Sequence, residues 1–274
     1  MADYKIVASD LDQTFLNDSH EIPQANVEGI RRLRQMGCLF VPASGRSYKS
    51  IMRTFRHLPP ELLEGSYVIS YNGGCVNRVG QDQPLVSHRL PFERARALFA
   101  YGQERGLCMH VYTVTGDLWI YNMVPKEHDY LEGFEVYDLR SDRTLDFARD
   151  IPLIKVLYVI PGDLEGLHAL REGMPRDITD GTETTYSSQR YLEFIPQGIS
   201  KGGGLSDLAD YLGLDLAQTI ACGDAENDVQ MLRTAGVGVA VATADPAAAA
   251  AADYQTKTGY DQGILPEVIE RFLS

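Results

Sequence analysis

The sequence predicts an α/β fold in which a parallel sheet, covered by helices on both faces, is interrupted by a smaller inserted α+β unit. Three observations carry this. Strand and helix signals alternate with short loops over the first third, the texture changes in the middle, and the alternation resumes from Ser200. With 274 residues the chain also exceeds the usual size of one compact domain. The expected division is a discontinuous core, 1–84 and 190–274, around an insertion at 85–189.

A short strand over 5–8 runs up to Asp10, and Val27, Ile30, Leu33 and Met36 mark a helix over 23–36 by their spacing. A second strand, 39–42, leads into Ala43-Ser44-Gly45-Arg46. A helix over 47–55 and an apolar run at 67–70 follow, then the Gly-rich turn Asn72-Gly73-Gly74. The middle reads as a helix at 92–105, strands at 109–113, 118–122 and 155–160, a helix at 164–172, and strands at 184–188 and 191–195. The last third predicts a helix at 203–212, a strand at 219–222 ending in Gly223-Asp224, a helix at 228–235 and a strand at 237–241. Asp245-Pro246 before six alanines reads as a capped helix start, with Asp at the N-cap and Pro at the first helical position.

Composition narrows the function. The chain is 44% hydrophobic and 23% charged, which supplies a sizeable core and argues against global disorder. Its net charge of -13 repels polyanions, so no nucleic-acid partner is expected. A small phosphorylated ligand can still bind where a metal and local cations reverse the field, and Lys201 and Arg46 are the candidate cations. The N-terminal segment lacks the pattern of a signal peptide, and no apolar run approaches the roughly 20 residues that span a bilayer. A cytoplasmic protein without a membrane partner is expected. Cys38, Cys75, Cys108 and Cys222 are irregularly spaced among apolar neighbours and read as buried, reduced thiols.

Four motifs bear chemistry. Asp10 and Asp12, two residues apart after an apolar strand, project to the same side in extended backbone. One carboxylate could attack an electrophile while the other donates a proton to the leaving group and later deprotonates water. An Asp-rich turn can equally be structural, so the pair takes its meaning from the rest. Ser44-Gly45 occupies a similar place after the second strand, where glycine permits a close backbone approach to an anion and a helix start adds positive potential. Lys201, in Gly198-Ile199-Ser200-Lys201-Gly202, falls where a helix begins; a cation there opposes the helix dipole, which points to pairing with a carboxylate or phosphate. Finally, Gly223-Asp224-Ala225-Glu226-Asn227-Asp228 closes another apolar strand, and Asp224 could join Asp10 around a magnesium ion, which needs only one or two carboxylates. In an open parallel sheet, strand ends of this kind converge on the ligand crevice.

Taken together, Asp10-Leu11-Asp12-Gln13-Thr14-Phe15-Leu16, Ala43-Ser44-Gly45-Arg46, Tyr71-Asn72-Gly73-Gly74, Gly198-Ile199-Ser200-Lys201-Gly202 and Gly223-Asp224-Ala225-Glu226-Asn227-Asp228 resemble, in order and separation, the haloacid-dehalogenase-like hydrolases. The likeness is to the Cof-type phosphatases of subfamily IIB, which carry a large cap after the second motif, and it runs nearly end to end. It implies a Rossmann-like core, a mobile α+β cap that sets specificity, and phosphoryl transfer through an aspartyl phosphate. Asp10 would be the nucleophile and Asp12 the general acid/base. Mg²⁺ would be held by Asp10, the Asp12 backbone carbonyl and Asp224. Ser44, Gly45, Arg46 and Lys201 would bind the phosphoryl group, Asn227 would reach the substrate, and Asp228 would orient Lys201 or a water on the metal.

Two departures stand out. The family usually has Gly where this chain has Gln13, and its C-terminal Asn-Ala and Asp-Gly pairs are replaced by Thr243-Ala244 and Asp261-Gln262-Gly263. The expected activity is Mg-dependent hydrolysis of a small phosphorylated metabolite, a sugar phosphate or a phosphorylated cofactor, by a monomer or homodimer. A phosphotransferase or mutase of the same superfamily is the enzymic alternative, and a non-catalytic metabolite-binding protein the other. Tyr112, Trp119, Tyr121, His110 and Arg190 are candidates for the inner face of the cap.

Overall fold

The segments Ile-Val-Ala-Ser, Leu-Phe-Val-Pro, Thr-Ile-Ala-Cys-Gly and Val-Gly-Val-Ala are near-continuous apolar runs, as suits strands buried on both faces. In the computed structural model, which describes residues 3–133 and 135–274, they form one parallel sheet. Its order is Tyr254–Gln255, Val237–Ala240, Thr219–Gly223, Ile6–Ser9, Leu39–Pro42. Ile6 pairs with Thr219 on one side and Leu39 on the other. From the first strand the chain builds outward to Leu39–Pro42, and only later returns to fill the opposite side. The order therefore reverses between Ile6–Ser9 and Thr219–Gly223, a topological switch point where the carboxyl ends open a crevice.

Alternation along these strands sorts two cores. Val7, Phe40, Ile220, Cys222 and Val239 pack with Ile30 and Leu33 of the helix Gln24–Gln35 and with Val268 and Ile269 of Leu265–Phe272. Ile6, Ala8, Val41 and Ala221 face the other way, onto Leu205 and Leu208 of Lys201–Leu212 and onto Met231 and Leu232 of Val229–Thr234. Tyr67–Ser70, Cys75–Arg78 and Val86–Ser87 make a small antiparallel sheet beside this core. The alanine run is helical over Pro246–Ala251, with Asp245 as N-cap accepting from Ala248 N at 3.0 Å. All four cysteines are buried and none is in a disulfide, and burial pushes the Cys38, Cys108 and Cys222 thiols up to about 12.

Residues up to Ser87 together with Ile199–Ser274 form this first compact unit; His88–Gly198 form the second. The second unit is a six-stranded sheet, ordered Thr182–Ser187, Tyr191–Pro196, Leu153–Val159, Cys108–Thr113, Leu118–Tyr121, Asp138–Leu139, antiparallel except for the last pair. Tyr191–Pro196 pairs with Leu153–Val159, which is why the division falls after Gly198 and not after residue 189.

One face of this sheet carries Met109, Val111, Trp119, Tyr121, Val156 and Tyr158 onto Leu98 and Phe99 of the helix Phe92–Glu104. Trp119 and Tyr121, expected to line the inner face of a cap, are thus core residues, with Tyr121 edge-on to Phe99 at 4.7 Å. His110 and Tyr112 alternate to the opposite face. There the fully buried Glu127 accepts from Tyr191 Oη (2.6 Å) and Arg190 Nη1 (3.0 Å), and His110 Nε2 lies 3.4 Å from it. Burial, with Lys155 adding repulsion, pushes His110 down to about 3, so the imidazole is neutral.

Candidate active site

The crevice at the switch point is built by short, apolar strand ends that hand over to polar turns. Asp10 follows Ile6–Ser9 and donates its backbone N–H to Cys222 O at 3.0 Å, which locks it beside the neighbouring strand. The chain then makes one tight turn in which the Leu11 carbonyl accepts from Phe15 N (2.9 Å) and Leu16 N (2.8 Å). Gln13 takes φ +58° in this turn. Glycine, which the resemblance leads one to expect here, would take this left-handed conformation freely, whereas glutamine meets it less easily. Thr14, fully buried, donates from Oγ1 to Asp224 Oδ1 at 2.7 Å and so orients a carboxylate 210 residues away.

Lys201 is the first residue of the helix Lys201–Leu212, whose N-cap Ser200 accepts from Gly203 N. Its side chain is fully buried, and its ammonium donates to Asp228 Oδ1 at 2.7 Å and to Asp10 Oδ1. Two carboxylates thus compensate the adverse helix-dipole position. The helix start is held by a close approach: Gly73 has φ +92°, and a Cβ there would lie 1.9 Å from the Ser200 carbonyl oxygen. Asp228, also fully buried, ends a single turn, Glu226–Asp228, and its Oδ2 accepts from Asp224 N and Ala225 N, both at 3.1 Å.

Asp10, Asp224 and Asp228 each place a carboxylate oxygen within 4.8 Å of the others. Three carboxylates surround one ammonium. Burial, above all, raises the Asp10 carboxyl well above the usual range; Lys201 opposes the shift, while Asp228 and Asp224 add to it. Asp224 is likewise raised, by burial first and then by Asp228, against the Thr14 hydrogen bond. Lys201 is kept protonated because Asp10 and Asp228 outweigh the burial that would lower it.

Asp12 lies apart from this cluster. Its carboxylate is gripped by Arg46, through Nε to Oδ2 at 3.1 Å and Nη2 to Oδ1, and His20 Nδ1 stands 3.1 Å from Oδ1. Arg46, expected at a phosphoryl group, is in this structure the partner of Asp12. Ser44 is buried after Leu39–Pro42; its N–H donates to Ile69 O (2.9 Å), its hydroxyl accepts from Arg46 N (3.2 Å), and its carbonyl accepts from Asn72 N (3.0 Å). Gly45 lies against the Asn72 amide, 3.2 Å from where its Cβ would be. Asn227 is exposed, one residue before Asp228. Thr14 and His20 escaped the sequence reading. Thr14 sits inside the first motif and was legible there as a hydroxyl, whereas nothing local marks His20.

The haloacid dehalogenase-like hydrolase family profile matches residues 7–268. The chain is 28% identical over 272 residues to YxeH of Bacillus subtilis (strain 168), a protein named provisionally as a phosphatase, with 99% of each chain covered. Among solved structures, a haloacid dehalogenase-like hydrolase from Bacteroides thetaiotaomicron superposes with a TM-score of 0.82 at 30% identity, covering 98% of this chain and 99% of that one. TM0651 from Thermotoga maritima superposes with a TM-score of 0.84 at 25% identity, covering 98% and 97%. With a family match across nearly its whole length, the chain belongs to the haloacid dehalogenase-like hydrolases.

Proposed function

We propose that this protein is a phosphatase of small phosphorylated metabolites that works through a phosphorylated Asp10. The observation that carries the reading is the buried triad Asp10–Lys201–Asp228 beside Asp224 at the sheet's switch point. Asp10 attacks phosphorus through a carboxylate oxygen. The bond to the ester oxygen breaks, and that oxygen takes a proton from Asp12. Asp12, now ionised, accepts a proton from water as the water oxygen attacks the aspartyl phosphate, releasing inorganic phosphate and restoring Asp10. Ser44 and the Gly45 backbone bind phosphoryl oxygens. Lys201 has three N–H donors, and with two on carboxylates the third serves the phosphoryl group.

The site suits a hard divalent cation, because its donors are all oxygens and three clustered carboxylates face a single ammonium. Asp10 and Asp224, with the Asp12 backbone carbonyl, would hold Mg²⁺. When bound, it supplies positive charge that offsets the charge of the phosphoryl oxygens. Arg46 acts through Asp12, and substrate choice is assigned to the His88–Gly198 unit on the family resemblance.

The test is phosphate release from a panel of sugar phosphates and phosphorylated cofactors in the presence of Mg²⁺. Release by the wild type and none by Asp10→Asn supports the reading. Turnover by Asp10→Asn would sink the covalent route, and isomerised phosphate in place of inorganic phosphate would favour a mutase.

A further inference from the structure

His20 is the unexplained residue beside the site. It stands at φ +57°, in the left-handed region that few non-glycine residues occupy, histidine being one of those enriched there. The turn that holds it there is heavily determined. Asn17 Oδ1 accepts from Ser19 N (3.0 Å) and Glu21 N (2.9 Å), Asn17 N donates to Glu21 O (3.0 Å), and His20 N donates to Asn17 O (2.9 Å). Tyr260 Oη further ties the turn to the C-terminal segment through Asp18 Oδ1 at 2.6 Å. A left-handed residue that its surroundings hold in place is a pointer to function. Here it delivers Nδ1 to 3.1 Å from Asp12 Oδ1, the oxygen that Arg46 Nη2 also engages. In the Nδ1–H tautomer the ring donates to Oδ1, which can accept whether or not Asp12 is protonated, and Oδ2 is left to carry the proton of the acid.

We propose that His20 is a positioning residue for Asp12: together with Arg46 it fixes the carboxylate so that its proton is delivered to the leaving-group oxygen. This rests on the reading of Asp12 as general acid/base. Arg46 engages both oxygens and His20 approaches one of them from a separate turn, so the two restrain the side chain from different elements. Orientation of this kind lowers the barrier without adding a new chemical group.

The test uses two variants that separate side chain from backbone. His20→Gly removes the donor and accepts the φ without strain. His20→Asn tolerates the same φ and offers an amide N–H at the distance of Nδ1 from the backbone. The probes are phenyl phosphate, whose leaving group needs a proton, and p-nitrophenyl phosphate, whose leaving group needs it little. We expect kcat/KM for phenyl phosphate to fall about tenfold in His20→Gly, with less than about threefold loss for p-nitrophenyl phosphate and near-wild-type values for both in His20→Asn. In an Asp12→Asn background, His20→Gly should have no further effect. Equal losses on both substrates, an unchanged or raised kcat/KM for phenyl phosphate, or no rescue by His20→Asn would each overturn the proposal. If Asp12→Asn itself loses the two substrates equally, the acid/base reading fails and takes the proposal with it. If Asp12→Asn is selective and His20→Gly is not, only the role of His20 fails.

Discussion

Nζ of Lys201 lies 2.7 Å from Oδ1 of Asp228, and neither side chain has any exposed surface. A buried pair of this kind contributes little net stability, yet removing one partner strands the other charge. Lys201→Met would leave Asp10, Asp224 and Asp228 facing one another without a cation. We expect a loss of about 3 kcal/mol in urea unfolding without metal, and a fall in phosphate release of at least about 100-fold. Unchanged stability would show that the ammonium does not carry the site's charge balance.

Asp224 offers a test of the metal that does not depend on turnover. Mg²⁺ at ten times its dissociation constant should stabilise the wild type by about 1.4 kcal/mol, by mass action on the folded state. The rise in Tm should disappear in Asp224→Asn, and chelation should abolish phosphate release. An undiminished Tm shift in that variant would remove Asp224 from the donor set.

Gly73 supports the site from outside it. A Cβ at this position would meet the Ser200 carbonyl at 1.9 Å, and the backbone stands at φ +92°. Gly73→Ala should therefore displace the N-cap of the Lys201 helix, lowering stability by about 3 kcal/mol and weakening activity with it. Wild-type unfolding midpoints would refute this.

Gln13 makes the opposite prediction. At φ +58° and exposed, it occupies a conformation that costs about 1 kcal/mol for a non-glycine residue. Gln13→Gly should raise stability by a few tenths to about 1 kcal/mol, less what glycine's extra unfolded-state freedom takes back. Thermal unfolding of the two forms decides it.

Glu267 sets an acid limit. Although partial burial raises its carboxyl, the Thr258 hydroxyl first, then the Lys257 amide (2.9 Å), Tyr254 Oη (2.7 Å) and the Thr258 amide (2.9 Å), hold it down to about 2. A depressed pKa means that the folded state binds the proton less readily than the unfolded chain. The stability it contributes is fully present above the ordinary value of 4.5 and is lost as pH falls toward 2. Glu267→Gln should cost about 2 kcal/mol at pH 7, and the difference should shrink between pH 4.5 and 2. A pH-independent difference would refute the assignment.

Much of the fold was written locally. Val27, Ile30 and Leu33 at helical spacing, the apolar runs ending at Asp10, Ser44 and Asp224, and the Asp245-Pro246 cap each need only neighbours in sequence to be recognised. Four residues of the candidate site, Asp10, Lys201, Asp224 and Asp228, were therefore legible as motifs. The parallel sheet then brings them together because strand ends converge at the switch point.

What the tertiary structure decided is a matter of contacts between distant segments and of which way side chains turn. Trp119 and His110 both sit on strands, but only the register of Val111 with Trp119 shows that they face opposite sides. Thr14 reaches Asp224 across 210 residues of sequence, and Arg46 turns to Asp12 because the strand ends set the two loops side by side. His20 meets Asp12 only because its turn is pinned by Asn17 and Tyr260. Periodicity and motif spacing determined that this chain is an α/β protein with paired carboxylates at the end of a strand and a lysine at the start of a helix. Long-range packing, which no local pattern encodes, determined which of those groups touch.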